Sequence, residues 1–205
     1  MTPAARNRWG GLALLLGVLI FIGSRFREHV DPTDRFLTAF MLVAFTGWFV
    51  GLLVLRAQYR PRVGALGGVG LMLTLVAIGL LTLGHVTSFL LELDGPWFMP
   101  IVMGTMALAV GVLLFGIAAL GGGVLPRWRA LPLLIGLVGI AWMLFASDSR
   151  PVEGNPEAFL VMRTAFGATW LPLAIVLMTD RGGDVNATGR GGHPVEQDAG
   201  RRGWE

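Results

Sequence analysis

His85, Ser88 and Glu92 follow one another at spacings of three and four residues inside the apolar stretch GHVTSFLLEL. On a helix turning 100° per residue they share with Thr74 a stripe about 60° wide, and Thr82 lies beside it. A polar stripe in apolar surroundings must face protein or water rather than lipid. A second ionisable residue, Arg163, sits in EAFLVMRTAFGATW, six residues past Glu157 and so about 9 Å further along a helix. An arginine at that depth either snorkels to the headgroups or pairs with a carboxylate. Glu92 is the leading partner, with Asp94 and Asp148 also near the ends of other apolar segments. The candidate site is therefore His85, Glu92 and Arg163, with Ser88 and Thr82 nearby and His29, Glu28, Asp31 and Asp34 of the first outer loop as a cover. Such a set can bind an anionic or zwitterionic ligand, relay a proton, or sense external acidity through histidine. The competing and simpler reading is a polar knot that ties helices together.

Other chemistries find less support. The chain has no cysteine, which excludes disulfides, thiolate metal sites and cysteine nucleophiles. It has no GxSxG, HExxH or Walker A motif. His29 and His85 lack the matched spacing on paired helices that haem ligation uses, and His85, Glu92 and Asp94 are badly spaced for one metal ion. Gly121-Gly-Gly123 has no lysine motif after it and reads as a flexible turn. The expectation is a protein without a cofactor and without enzymatic activity.

The elements that would position these residues are membrane spans. Of the 205 residues, 54% are hydrophobic and only 14% are charged, against about 25% in soluble domains. The mean hydropathy is +0.68. Apolar segments at 9–26, 36–55, 63–91, 98–120, 130–146 and 158–178 are of the length that crosses a bilayer as helix, about 20 residues. The first follows Arg6 and Arg8 as a signal peptide would. No small-x-small cleavage site closes it, and Ser24-Arg25-Phe26-Arg27 follows instead, so it reads as a retained span.

All sixteen basic residues are arginine, and they sit at segment ends rather than on one face, so topology accounts for them better than nucleic-acid binding. With the N-terminus inside, the inner surface holds Arg6, Arg8, Arg56, Arg60, Arg62, Arg127, Arg129 and Arg181. The outer surface holds Arg25, Arg27, Arg35, Arg150 and Arg163 together with every acid before Asp180. The positive-inside rule favours that threading, with both termini cytoplasmic. Residues 179–205 are glycine-rich, mixed in charge and almost free of apolar side chains. They read as a disordered cytoplasmic tail on a six-helix domain of residues 1–178.

Glycine and proline suggest how the spans assemble. Gly47-Trp-Phe-Val-Gly51 and Gly64-Ala-Leu-Gly-Gly68 are GxxxG spacings, and Ala107 to Gly111 is a small-xxx-small variant. Small residues four apart let helix backbones approach closely, first within one bundle and secondly between copies of the chain or with a membrane partner. Pro61-Arg62 and Pro126-Arg127 each open a span, and Ala65-Leu66 matches Ala130-Leu131 at the same 65-residue offset that relates Gly51 to Gly116. Spans two and three would then repeat in four and five as a duplicated hairpin. Trp9, Trp97 and Trp128 flank segment ends, where an amphipathic ring suits the headgroup region.

The stretch LLFGIAALGGGVLPRWRALPLLIGLVGI, residues 113–140, carries Gly123-Val-Leu-Pro-Arg-Trp128 at its centre. It resembles a segment of small, uncharacterised multi-pass membrane proteins of actinobacteria and related GC-rich bacteria. The resemblance spans about a seventh of the chain, implies an inner loop in a polytopic protein, and passes on no activity. The expected fold is all-α, six transmembrane helices in one bundle in a bacterial plasma membrane. The expected role is that of a non-enzymatic accessory, interaction or structural component. The alternative is a small transporter, channel or sensor working through His85, Glu92 and Arg163. Nearly apolar inner halves of the spans argue against a polar path across both leaflets.

Overall fold

The computed structural model describes residues 2–31, 36–87, 91, 99–121, 125, 128–147 and 156–179. Its elements are α1 (Pro3–Val30), α2 (Phe36–Tyr59), α3 (Gly64–His85), α4 (Met99–Gly121), α5 (Leu131–Ser147), α6 (Pro156–Ala168) and α7 (Leu171–Thr179). Among the described residues there is no strand. Helices α1 to α4 and the α6–α7 unit (Glu157–Thr179) are long and apolar enough to cross a membrane. With 17 residues, α5 is at the short end of the roughly 17–25 that suffice. The chain is an all-helical, six-span membrane protein. The tail from residue 180 onward lies outside the described residues.

Boundaries in α1, α3 and the last span differ from the sequence expectation. Helix α1 starts at Pro3 instead of residue 9, because Thr2 caps it by accepting from the Ala5 N–H at 3.3 Å and proline suits a first helical position. It also runs on to Val30, which puts Arg25 and Glu28 on helix instead of in a loop. Helix α3 ends at His85, short of residue 91. There the Thr87 hydroxyl donates to the carbonyls of Leu83 (2.9 Å) and Gly84 (3.2 Å), competing with the helical ladder, and a wider turn follows at Val86–Thr87. The last span is broken at Thr169–Trp170. Pro172 has no N–H and its ring clashes with the carbonyl four residues back, so Trp170 bonds Gly167 instead, at 3.1 Å.

The spans close into a ring. Each of α1 to α5 packs on the next, and α6–α7 fits between α5 and α1. Lipid-facing helices gain little from burying leucine, so the seams are made where backbones come close. A Cβ on Gly47 would lie 2.5 Å from the Ala13 carbonyl and 2.9 Å from the Gly17 Cα, and one on Gly51 would lie 2.6 Å from the Leu14 Cβ. That GxxxG strip of α2 therefore serves the bundle, against α1. Gly111 does the same for α4 against Thr74 and Gly70 of α3, and Gly116 against Leu133 of α5. Gly51 and Gly116, which match in the internal repeat, thus serve seams with different neighbours. Gly64 has φ +62°, which favours glycine, and turns the chain into α3; nothing lies within 4 Å of a Cβ there or on Gly68. That second GxxxG face is uncovered.

At mid-bundle an aromatic cluster fills the ring. Trp48 stacks on Trp170 with centroids 4.9 Å apart, and Phe21 and Phe166 pack on Trp48 at 5.3 and 6.2 Å. Leu14, Leu52, Leu55, Tyr59 and Leu177 are buried alongside.

Candidate binding cavity

Above the aromatic cluster the six spans surround a cavity of about 620 Å³. It occupies one end of the bundle, where α1, α3 and α5 finish and α2, α4 and α6 start. In the threading expected from the arginines, that end is the outer one. The volume is within the range of about 300–1,000 Å³ usual for small-molecule sites.

Its charged wall comes from two helices. On α1, Phe21, Arg25 and Glu28 are spaced four and three apart and so share one face. On α6, Phe159, Arg163 and Phe166 do likewise. The Glu28 carboxylate joins the two: Oε1 accepts from Arg163 Nη1 at 2.9 Å and Oε2 from Arg25 Nη1 at 2.5 Å. Each guanidinium also lies over a ring of its own helix, Arg25 over Phe21 at 4.9 Å and Arg163 over Phe159 at 5.1 Å. Arg25 is 5% exposed, contacts the Met41 sulfur through Nη2, and leaves Nε buried without a hydrogen-bond partner. The indole N–H of Trp48, also in the cavity wall, is buried without an acceptor.

His85 enters from α3. Its Nδ1 is 2.8 Å from the Leu81 carbonyl, which can only accept, so Nδ1 carries the hydrogen. The imidazole meets Phe45 edge-on with centroids 5.0 Å apart. Apart from Thr105, whose hydroxyl donates to the Ile101 carbonyl at 2.9 Å, the rest of the wall is apolar, notably Met106 of α4 and Trp142 of α5, and Trp142 packs on Phe159 at 4.9 Å.

The residues expected from sequence are distributed as follows. His85 and Arg163 do line one cavity. Ser88, Glu92, Asp94, Asp148 and Asp34 lie outside the described residues. Among the described residues the carboxylate on Arg163 is Glu28, because α1 continues as helix past residue 26 and packs against α6. Thr82 is half-buried, donates to the Ile78 carbonyl at 2.8 Å, and is not in the cavity wall. His29 and Asp31 are exposed beyond it. From sequence Arg25 stands out only as an outer charge; the spacing Phe21-x-x-x-Arg25-x-x-Glu28 marks it once the helix extends through Glu28. Comparison with family models, with curated proteins and with solved structures finds no match.

Proposed function

We propose that this is a non-catalytic protein of a bacterial plasma membrane, with both termini cytoplasmic, that works by holding a small ligand in the cavity open towards the outside. One observation carries the reading. All six spans contribute side chains to a single space in which Arg25, Glu28, Arg163 and His85 meet aromatic walls. A purely structural knot needs the ion pairs but not 620 Å³ of space beside them. A channel is less well supported, since Trp48, Trp170 and Phe166 pack across the bundle beneath the cavity. A sensor or an accessory subunit that presents a bound ligand fits better.

Binding is tested through Trp48 and Trp142, which line the cavity. A brominated long-chain alcohol should quench the indole fluorescence of the purified protein saturably. Thr105→Trp, which puts a bulky ring into the cavity wall, should remove the saturable component. Quenching that only rises linearly, as for partition into the micelle, would refute the binding reading.

Orientation has its own test, made simple by the absence of cysteine. Asp31 and Arg60 are exposed near opposite ends of the bundle. In intact cells a membrane-impermeant maleimide should label Asp31→Cys and spare Arg60→Cys until the membrane is opened. The reverse pattern would overturn the threading.

A further inference from the structure

Two arginines and one glutamate do not balance. Among the described residues Glu28 is the one acid in the cavity wall, shared between Arg25 and Arg163, so the wall carries one positive charge in excess. In surroundings of low dielectric an uncompensated charge is costly unless an anion or further hydrogen-bond acceptors meet it. Arg25 is well over nine-tenths buried and still has an unused donor at Nε. A guanidinium fork suits carboxylate or phosphate oxygens in particular.

The opposite wall indicates where such an anion comes from. On α4, Leu113, Ala109, Met106 and Val102 form one stripe facing α5. At its far end a Cβ on Gly136 would be 2.7 Å from the Leu113 backbone, and one on Gly139 would be 3.2 Å from the Ala109 Cβ, so the helices touch there. Nearer the cavity α5 carries Trp142, Met143 and Leu144 in place of glycine, and the seam opens. Met106 is 50% exposed, Val102 41% and Leu144 68%, although all three line the cavity. The cavity therefore has an apolar side mouth between α4 and α5, facing the hydrocarbon of a membrane.

We propose that the cavity takes a single-chain anionic amphiphile from the lipid phase. Its carboxylate or phosphate head sits against Arg25 and Arg163 beside Glu28, and its tail lies along Trp142, Met106 and Phe45 towards the α4–α5 mouth. This rests on the reading of the cavity as a binding site and specifies its ligand. A singly charged head makes the charges two against two, and the tail stays in apolar surroundings throughout.

The experiment is competition against the brominated alcohol, using palmitate, hexadecyl phosphate, hexadecanol and hexadecyltrimethylammonium in a neutral detergent. Palmitate or hexadecyl phosphate, or both, should displace the probe at least tenfold more tightly than hexadecanol, and the ammonium more weakly. Which anion is the tighter identifies a carboxylate or a phosphate head. Arg163→Gln should weaken anion binding far more than hexadecanol binding and so remove most of that preference, and Arg163→Lys should keep part of it. Anions no tighter than hexadecanol would overturn the proposal but leave the cavity reading standing; an absence of saturable probe binding overturns both. If the preference is absent in the wild type and emerges in Glu92→Gln, an internal carboxylate fills the seat and the proposal is wrong. A preference that survives Arg163→Gln unchanged would also overturn it, as an effect of micelle charge.

Discussion

Replacing Glu28 by glutamine should be among the most damaging single changes at the cavity end of the bundle. Each carboxylate oxygen serves a different arginine, so Glu28→Gln removes both ion pairs at once and leaves two guanidinium groups facing each other. Breaking a fully buried pair costs about 3–5 kcal/mol. The Glu28 side chain is 36% exposed, and solvent screening lowers the expected cost to roughly 2–3 kcal/mol. For a chain of this size that corresponds to a fall in Tm of roughly 4–12 °C. The pairing itself is read from a double-mutant cycle of Glu28→Gln with Arg163→Gln. Since α1 and α6 meet through this pair, the cycle should give a coupling of about 1 kcal/mol. Additivity within about 0.5 kcal/mol would mean that the two side chains do not hold the helices together.

The second large effect is expected at mid-bundle, where Gly47 meets α1. Any side chain there runs into the Ala13 carbonyl at 2.5 Å and the Gly17 Cα at 2.9 Å, both backbone atoms that cannot swing aside. Gly47→Ala should destabilise by about 1–3 kcal/mol, the usual range for overpacking, and Gly47→Leu by more, with loss of a monodisperse protein in detergent. Gly68→Ala is the matched control. Nothing lies within 4 Å of its Cβ position, and alanine favours helix by up to about 1 kcal/mol, so the variant should be neutral or stabilised. Equal behaviour of Gly47→Ala and Gly68→Ala in thermal unfolding would refute the glycine seam. The two residues belong to GxxxG motifs of the same spacing, and only their neighbours separate them.

That contrast shows how far composition and periodicity reach. The membrane environment, the all-helical class and the number of spans follow from apolar runs of bilayer length, because in hydrocarbon a chain must satisfy its own backbone hydrogen bonds. His85 and Arg163 were identifiable as site candidates for the same reason, since an ionisable group inside an apolar span has to be accommodated by something. The pairing of Arg163 with Glu28 is not legible in the sequence. Hydropathy falls at Arg25 and so places Glu28 in a loop, yet helix α1 continues through Arg25 and Glu28, whose side chains pair on one face of it.

The sequence by itself determined that the protein is a helical membrane bundle with few buried charges, because hydropathy is a local property of each segment. Only the tertiary structure decided which charges meet. Arg25, Glu28 and Arg163 are joined across some 135 residues of chain by the closing of the ring. Which glycines lie on seams, and where the α4–α5 seam opens into a cavity, depend on helix rotation and splay. Those are set by contacts between spans, and no single span encodes them.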